Sequence, residues 1–141
     1  MLELLLRLAG IGQIVLVVLS PFVIPRALGW SAELAKLRPL TRQTFWTYAA
    51  YILCFNLSFG LVSAFAPRLL IDGSPLGLFV SAFIALYWAA RVVIQFTYYD
   101  RSAAPPGRIF ALGEWALVAL FVFLTAVYAA ATLADLGMIA I

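Results

Sequence analysis

Residues 76–99 read LGLFVSAFIALYWAARVVIQFTYY, and this stretch decides the fold. A bilayer-spanning helix needs ~20 apolar residues, and the run is long enough. It nevertheless carries Arg91, with Gln95 one helical turn later. At about 100° per residue, Tyr87, Trp88, Arg91, Gln95 and Tyr98 fall within roughly 60° of one another's stripe centre at Arg91. The opposite face (Ala82, Ala85, Ala89, Val93, Phe96) is apolar. An arginine at membrane depth is costly in lipid, so it should face protein, water or a partner. The stripe is therefore expected at the centre of a helical bundle.

Composition places the whole chain in the same class. Of its 141 residues, 66% are hydrophobic and 11% charged, and the mean hydropathy is +1.09. A soluble domain has about 45–50% apolar and about 25% charged residues. The expected fold class is all-α: an integral membrane, antiparallel four-helix transmembrane bundle forming a single domain over 1–141. The net charge of +3 comes without a basic run, which argues against nucleic acid as a partner. One cysteine, Cys54, excludes an internal disulfide and a cysteine-pair redox motif. Histidine is absent, removing the usual haem ligand, the commonest zinc nitrogen ligand and the default general base. No cofactor or metal is expected.

The spans are read as about 2–24, 42–65, 76–99 and 109–136. The first starts with Glu3 and Arg7 and is expected to end at Pro21 and Pro25. A cleaved leader with Ala27-Leu28-Gly29 as its site is the rival reading; the missing basic cluster and the long apolar run weigh against it. Residues 26–43 form the longest connection. Ser31 is expected to cap a short helix ending at Arg38, lying in the membrane interface with Trp30, Leu34 and Leu37 toward lipid. An ordinary polar loop is the alternative. Thr41 is expected to cap the second span. Asp72-Gly73 signals a turn, and Ser74-Pro75 reads as a cap followed by proline at the first helical position. Residues 100–108, DRSAAPPGR, form a short proline-rich loop.

Loop charge predicts orientation. Arg26, Lys36, Arg38, Arg42, Arg101 and Arg108 share one side, against Arg7 and Arg68 on the other. The positive-inside rule then puts the basic connections in the cytoplasm and both termini outside, in what is expected to be a bacterial-type plasma membrane.

Each span carries polar residues on one face: Gln13 and Ser20 in the first, Asn56 and Ser63 (with Gly60) in the second, and Glu114, Thr125, Tyr128 and Thr132 in the fourth. At ~1.5 Å per residue, Gln95 and Glu114 lie at similar depth and Arg91 about one turn deeper. Arg91 with Glu114 is the predicted ion pair, supported by Gln95 and Ser20. Gln13, Asn56 and Thr125 form a second cluster nearer mid-membrane. The candidate ligand-binding set is Arg91, Glu114, Gln95, Tyr87, Trp88 and Tyr98. Gln13, Ser20, Asn56, Ser63, Thr125 and Tyr128 are candidates for interhelical polar contacts, which commonly act as packing glue. Gly10, Gly12 and Gly60 read as close-contact positions.

No phosphate-binding glycine loop, zinc motif or nucleophile elbow is present. The sequence leans away from an enzyme, although a Tyr/Arg/Glu site could in principle move protons. Two functional readings remain. The first is a non-enzymatic accessory or scaffold subunit acting by helix association, with membrane lipids and a membrane protein or a second copy as partners. The second is a small ligand-, lipid- or quinone-binding or transport protein using the Arg91/Glu114 stripe.

Overall fold

The computed structural model describes residues 1–100 and 107–139; Arg101 lies outside them. The described residues form five α-helices: α1 (Leu2–Ala27), α2 (Trp30–Ala35), α3 (Pro39–Phe65), α4 (Pro75–Thr97) and α5 (Arg108–Asp135), with a 3-10 turn at Pro67–Leu70. Four of these, α1, α3, α4 and α5, are long and apolar enough to cross a membrane. The shortest, α4, has 23 residues, or ~35 Å of helix against a ~30 Å hydrocarbon core.

Three helix limits differ from the sequence reading, each for a local reason. First, α1 continues through Pro21 and Pro25 to Ala27. Pro21 has no N–H for the Val17 carbonyl, and Ser20 Oγ donates to that carbonyl instead at 3.3 Å; side-chain substitution of this kind lets membrane helices tolerate proline. Second, α2 starts at Trp30 and ends at Ala35, without a Ser31 cap. Gly29, at φ 62°, takes the left-handed turn that closes α1 and stands as the cap residue of α2, so the helix begins two residues earlier than a Ser31 cap would start it. Third, α3 begins at Pro39 with Arg38 as its cap residue, which leaves Thr41 inside the first turn. Proline suits that first position because its missing N–H would have no helical partner there. At α4, Ser74 Oγ accepts from Gly77 N at 3.0 Å, the cap that the Ser74-Pro75 pattern predicts.

The helices pack as two hairpin pairs, α1 with α3 and α4 with α5, joined through α1 and α5. Packing of α1 on α3 is backbone to backbone. A Cβ on Gly10 would meet the Ala64 nitrogen, and would sit 2.7 Å from Gly60 O and 2.9 Å from the Ser63 carbonyl carbon. Small residues allow this approach where lipid supplies no hydrophobic drive between helices. Between α4 and α5, Trp88 stacks on Phe121 at 5.2 Å and Thr132 Oγ1 donates to Ser81 Oγ at 3.2 Å. The α3–α4 seam is bridged by aromatic edges, Phe59 with Phe83 at 6.0 Å and with Tyr87 at 5.4 Å. Leu6, Ile84, Leu124 and Tyr128 are fully buried in the common core. Outward faces are rich in exposed Leu, Val, Ile and Phe, an arrangement that suits lipid and not water.

The end holding the 66–74 connection is tied by polar contacts. Arg7 donates to Ala64 O at 3.1 Å and to Glu3 Oε1 at 3.0 Å, and Arg68 reaches Glu3 Oε2 at 3.3 Å. Gly73 N donates to Asp135 Oδ1 at 2.8 Å, fastening the turn to the end of α5. Hydrogen bonds from the Ser74 side chain and N–H hold the Asp72 carboxyl below its usual range.

Candidate functional site

The polar residues separate into two constellations. One lies near the basic end, where α4 finishes and α5 begins. Trp88 is 2% exposed, stacked on Phe121 and edge-on to Tyr87 at 5.2 Å. Arg91, one turn further along, is half-buried. Its guanidinium lies 5.2 Å from the centroids of both the Tyr99 and Phe121 rings, and Nη1 donates to Tyr99 Oη at 3.2 Å. Aromatic faces stabilise a cation by about 0.5–2 kcal/mol depending on desolvation. Gln95 Nε2, not Arg91, donates to Glu114 Oε1, at 3.0 Å.

The ion pairs among the described residues are Arg7–Glu3, Lys36–Glu33 and Arg68–Glu3, so the predicted Arg91–Glu114 pair is replaced by two separate contacts. The physical reason lies at the end of α4. The helix stops at Thr97, the chain leaves helical spacing, and Tyr99 swings back over Arg91. Helical periodicity placed Tyr98 on the stripe and left Tyr99 off it; in the structure Tyr98 is 80% exposed. Because Arg91 and Glu114 form no ion pair, Arg91→Leu and Glu114→Leu should act nearly additively on thermal stability in detergent. Their coupling should stay at or below the ~1 kcal/mol of a hydrated pair. A coupling of ~3–5 kcal/mol, the signature of a buried pair, would reinstate the direct bridge.

The second constellation is deeper and joins three helices. Gln13 on α1, Ser63 on α3 and Tyr128 on α5 are all 0% exposed. Gln13 Nε2 donates to Tyr128 Oη at 2.5 Å and to Ala9 O at 3.3 Å. Ser63 Oγ lies 2.6 Å from Tyr128 Oη and donates to Phe59 O at 2.8 Å. With its own proton committed to Phe59, Ser63 is the acceptor, and the tyrosine hydroxyl donates to it. The bonds therefore run in one direction, from Gln13 through Tyr128 and Ser63 to a backbone carbonyl. Gln13 Oε1 has no partner among the described residues.

The remaining candidates go elsewhere. Asn56 Nδ2 donates to Tyr87 Oη at 3.0 Å, bridging α3 and α4. Ser20 and Thr125 bond to carbonyls of their own helices, so the sequence-level cluster of Gln13, Asn56 and Thr125 is not assembled. Sequence reasoning missed Tyr99 and the Ser81–Thr132 contact. Ser81 was legible in principle, as a lone hydroxyl at helical spacing from Trp88.

Two cavities among the described residues lie away from Arg91. One is an apolar cleft of about 170 Å³ between α3 and α4, lined by Ile52, Phe55, Phe59, Phe83 and Tyr87. The other, of about 540 Å³, opens beside Arg26 and Trp30 at the basic end. Among the described residues no group of three or more Cys, Asp or Glu could hold a metal. Chemically, the stripe offers a cation held on aromatic faces, and the deep constellation offers a structural tie. No family model matches the chain, and comparison with curated proteins and with solved structures finds no match.

Proposed function

We propose that this protein is a non-enzymatic accessory or scaffold subunit embedded in a membrane, which works by helix–helix association through the outer face of α3. The observation that carries this reading is Tyr51. It is 60% exposed and lies ~18 Å along α3 from Pro39, near the middle of the span at ~1.5 Å per residue. Tyrosines suit membrane interfaces, where the hydroxyl meets water; at mid-span lipid offers that hydroxyl no partner. Tyr48, Cys54, Phe55 and Ser58 fall on the same helical face and are exposed as well. A neighbouring helix would cover this face and supply the missing acceptor. The deep polar residues meanwhile bond to one another, which suits a bundle whose interior holds its shape. The competing reading, a ligand site at Arg91, has in its favour that no carboxylate pairs with that cation among the described residues, but Arg91 lines neither the α3–α4 cleft nor the groove at Arg26.

Cys54 is the only cysteine and is exposed on this face. Thiol crosslinking in native membranes, followed by native mass spectrometry, should trap a species of discrete mass, a doubled chain or a defined heteromer, and Tyr51→Leu should weaken it. A chain that stays monomeric while Cys54 reacts freely would overturn the proposal.

The same proposal assigns the basic end to the cytoplasm of a bacterial-type cell, following the positive-inside rule. In a Cys54→Ser background, Leu69→Cys should react with a membrane-impermeant thiol reagent on intact cells and Lys36→Cys should not. The reverse pattern would invert the topology.

A further inference from the structure

The groove at the basic end is built from the last turns of α1, the Gly29 turn with the first two residues of α2, and Trp46 of α3. Its lining includes Pro21, Phe22, Arg26, Trp30, Ser31 and Trp46. One wall is a packed aromatic corner: Trp30 meets Phe45 edge-on at 5.1 Å and Trp46 at 6.3 Å, and Phe45 meets Trp46 at 5.5 Å. Leu34, 8% exposed, holds α2 in place, so the wall is fixed by packing. Across from it, Arg26 Nη1 donates to Phe22 O at 2.7 Å, which steadies the side chain and leaves most of its donors available. Arg26 has no carboxylate partner among the described residues, because the nearby Glu33 is held by Lys36 at 2.8 Å. Arg38 and Arg42 add positive charge to the same end without ion pairs among the described residues.

We infer that this groove seats the phosphate-bearing headgroup of an anionic phospholipid. Arg26 supplies the charge, and the Ser31 hydroxyl and the indole N–H groups of Trp30 and Trp46 supply neutral donors. Three observations select a lipid over a soluble anion. The groove lies where two spans end, at headgroup depth. Its volume, about 540 Å³, falls in the ~300–1,000 Å³ range of small-molecule sites. Below the polar rim its wall is proline and aromatic carbon, which continues toward the hydrocarbon and gives acyl chains a path that free phosphate would not use. The site is distinct from the Arg91 stripe and does not depend on the accessory-subunit reading, since a monomer would retain the lipid equally well.

The test is native mass spectrometry of protein extracted from vesicles of equal phosphatidylcholine and phosphatidylglycerol. The wild-type chain should retain one phosphatidylglycerol in preference to phosphatidylcholine, and excess inorganic phosphate should not displace it. Arg26→Gln should lower retention about fivefold, the equivalent of ~1 kcal/mol per basic group near an anionic surface, with thermal stability unchanged because the side chain is exposed. Arg108→Gln, at the same end but outside the groove, should leave retention intact. Undiminished retention in Arg26→Gln overturns the site, as does an equal loss in Arg108→Gln, which would reduce the effect to general surface charge. Displacement by inorganic phosphate would overturn the lipid as occupant.

Discussion

Gly10→Ala should destabilise the folded bundle by about 3 kcal/mol or more, the largest effect expected of any single-methyl change in this chain. The added Cβ would lie 2.7 Å from Gly60 O and 2.9 Å from the Ser63 carbonyl carbon, and against the Ala64 nitrogen. Those neighbours are backbone atoms and cannot rotate away, so α1 and α3 must separate along their whole contact. Overpacking in a core ordinarily costs ~1–3 kcal/mol when side chains can adjust; here they cannot. The shift would also pull Gln13 and Ser63, three residues along each helix, away from Tyr128. Gly113 is the internal control. It sits in α5 with nothing within 4 Å of the place an added Cβ would take, so Gly113→Ala should be neutral or stabilise by up to ~1 kcal/mol through helix propensity. Thermal unfolding in a mild detergent compares the two directly. Equal effects at Gly10 and Gly113 would mean that the α1–α3 contact is not close.

The spans and their inward faces were legible because both depend on local periodicity. Gln13, Ser63 and Tyr128 each stood out as polar positions in apolar runs, and Ser74-Pro75 marked the start of α4 by cap chemistry alone. What could not be read was which inward residue meets which. Spacing fixes a residue's angle and depth on its own helix, whereas pairing also needs the rotation of the neighbouring helix and the identity of that neighbour. Tyr128 reaches α1 and α3 because α5 packs beside α1. Asn56 meets Tyr87 because the α3–α4 seam is bridged by side chains. Arg91 was misassigned for a different reason: its partner Tyr99 lies beyond the end of α4, where 100° spacing no longer applies. Pro21 and Pro25 misled as helix stops because Ser20 supplies the Val17 carbonyl with a donor, a compensation that only the three-dimensional contact reveals.

Tyr128→Phe should cost ~2 kcal/mol, and the pattern of its coupling is more diagnostic than its size. The substitution keeps the ring in the core and removes only Oη, so no cavity larger than an oxygen results. Ser63 keeps its bond to Phe59 O and loses little. The burden falls on Gln13, whose amide would retain only the 3.3 Å contact to Ala9 O while its Oε1 already lacks a partner among the described residues. Leaving a buried donor unsatisfied costs ~1–3 kcal/mol. Interhelical hydrogen bonds in membranes average only ~0.6 kcal/mol, because the separated helices find other partners. The upper range applies here because Gln13 is fully buried among residues that offer no substitute. Replacing both partners with apolar groups removes the orphan, so Gln13→Leu combined with Tyr128→Phe should recover most of the loss and fall well short of the sum of the single changes. Thermal unfolding of the two single variants and the double variant in detergent measures that coupling. A neutral Tyr128→Phe, or a double variant equal to the sum, would show that the three-helix tie carries no net stability.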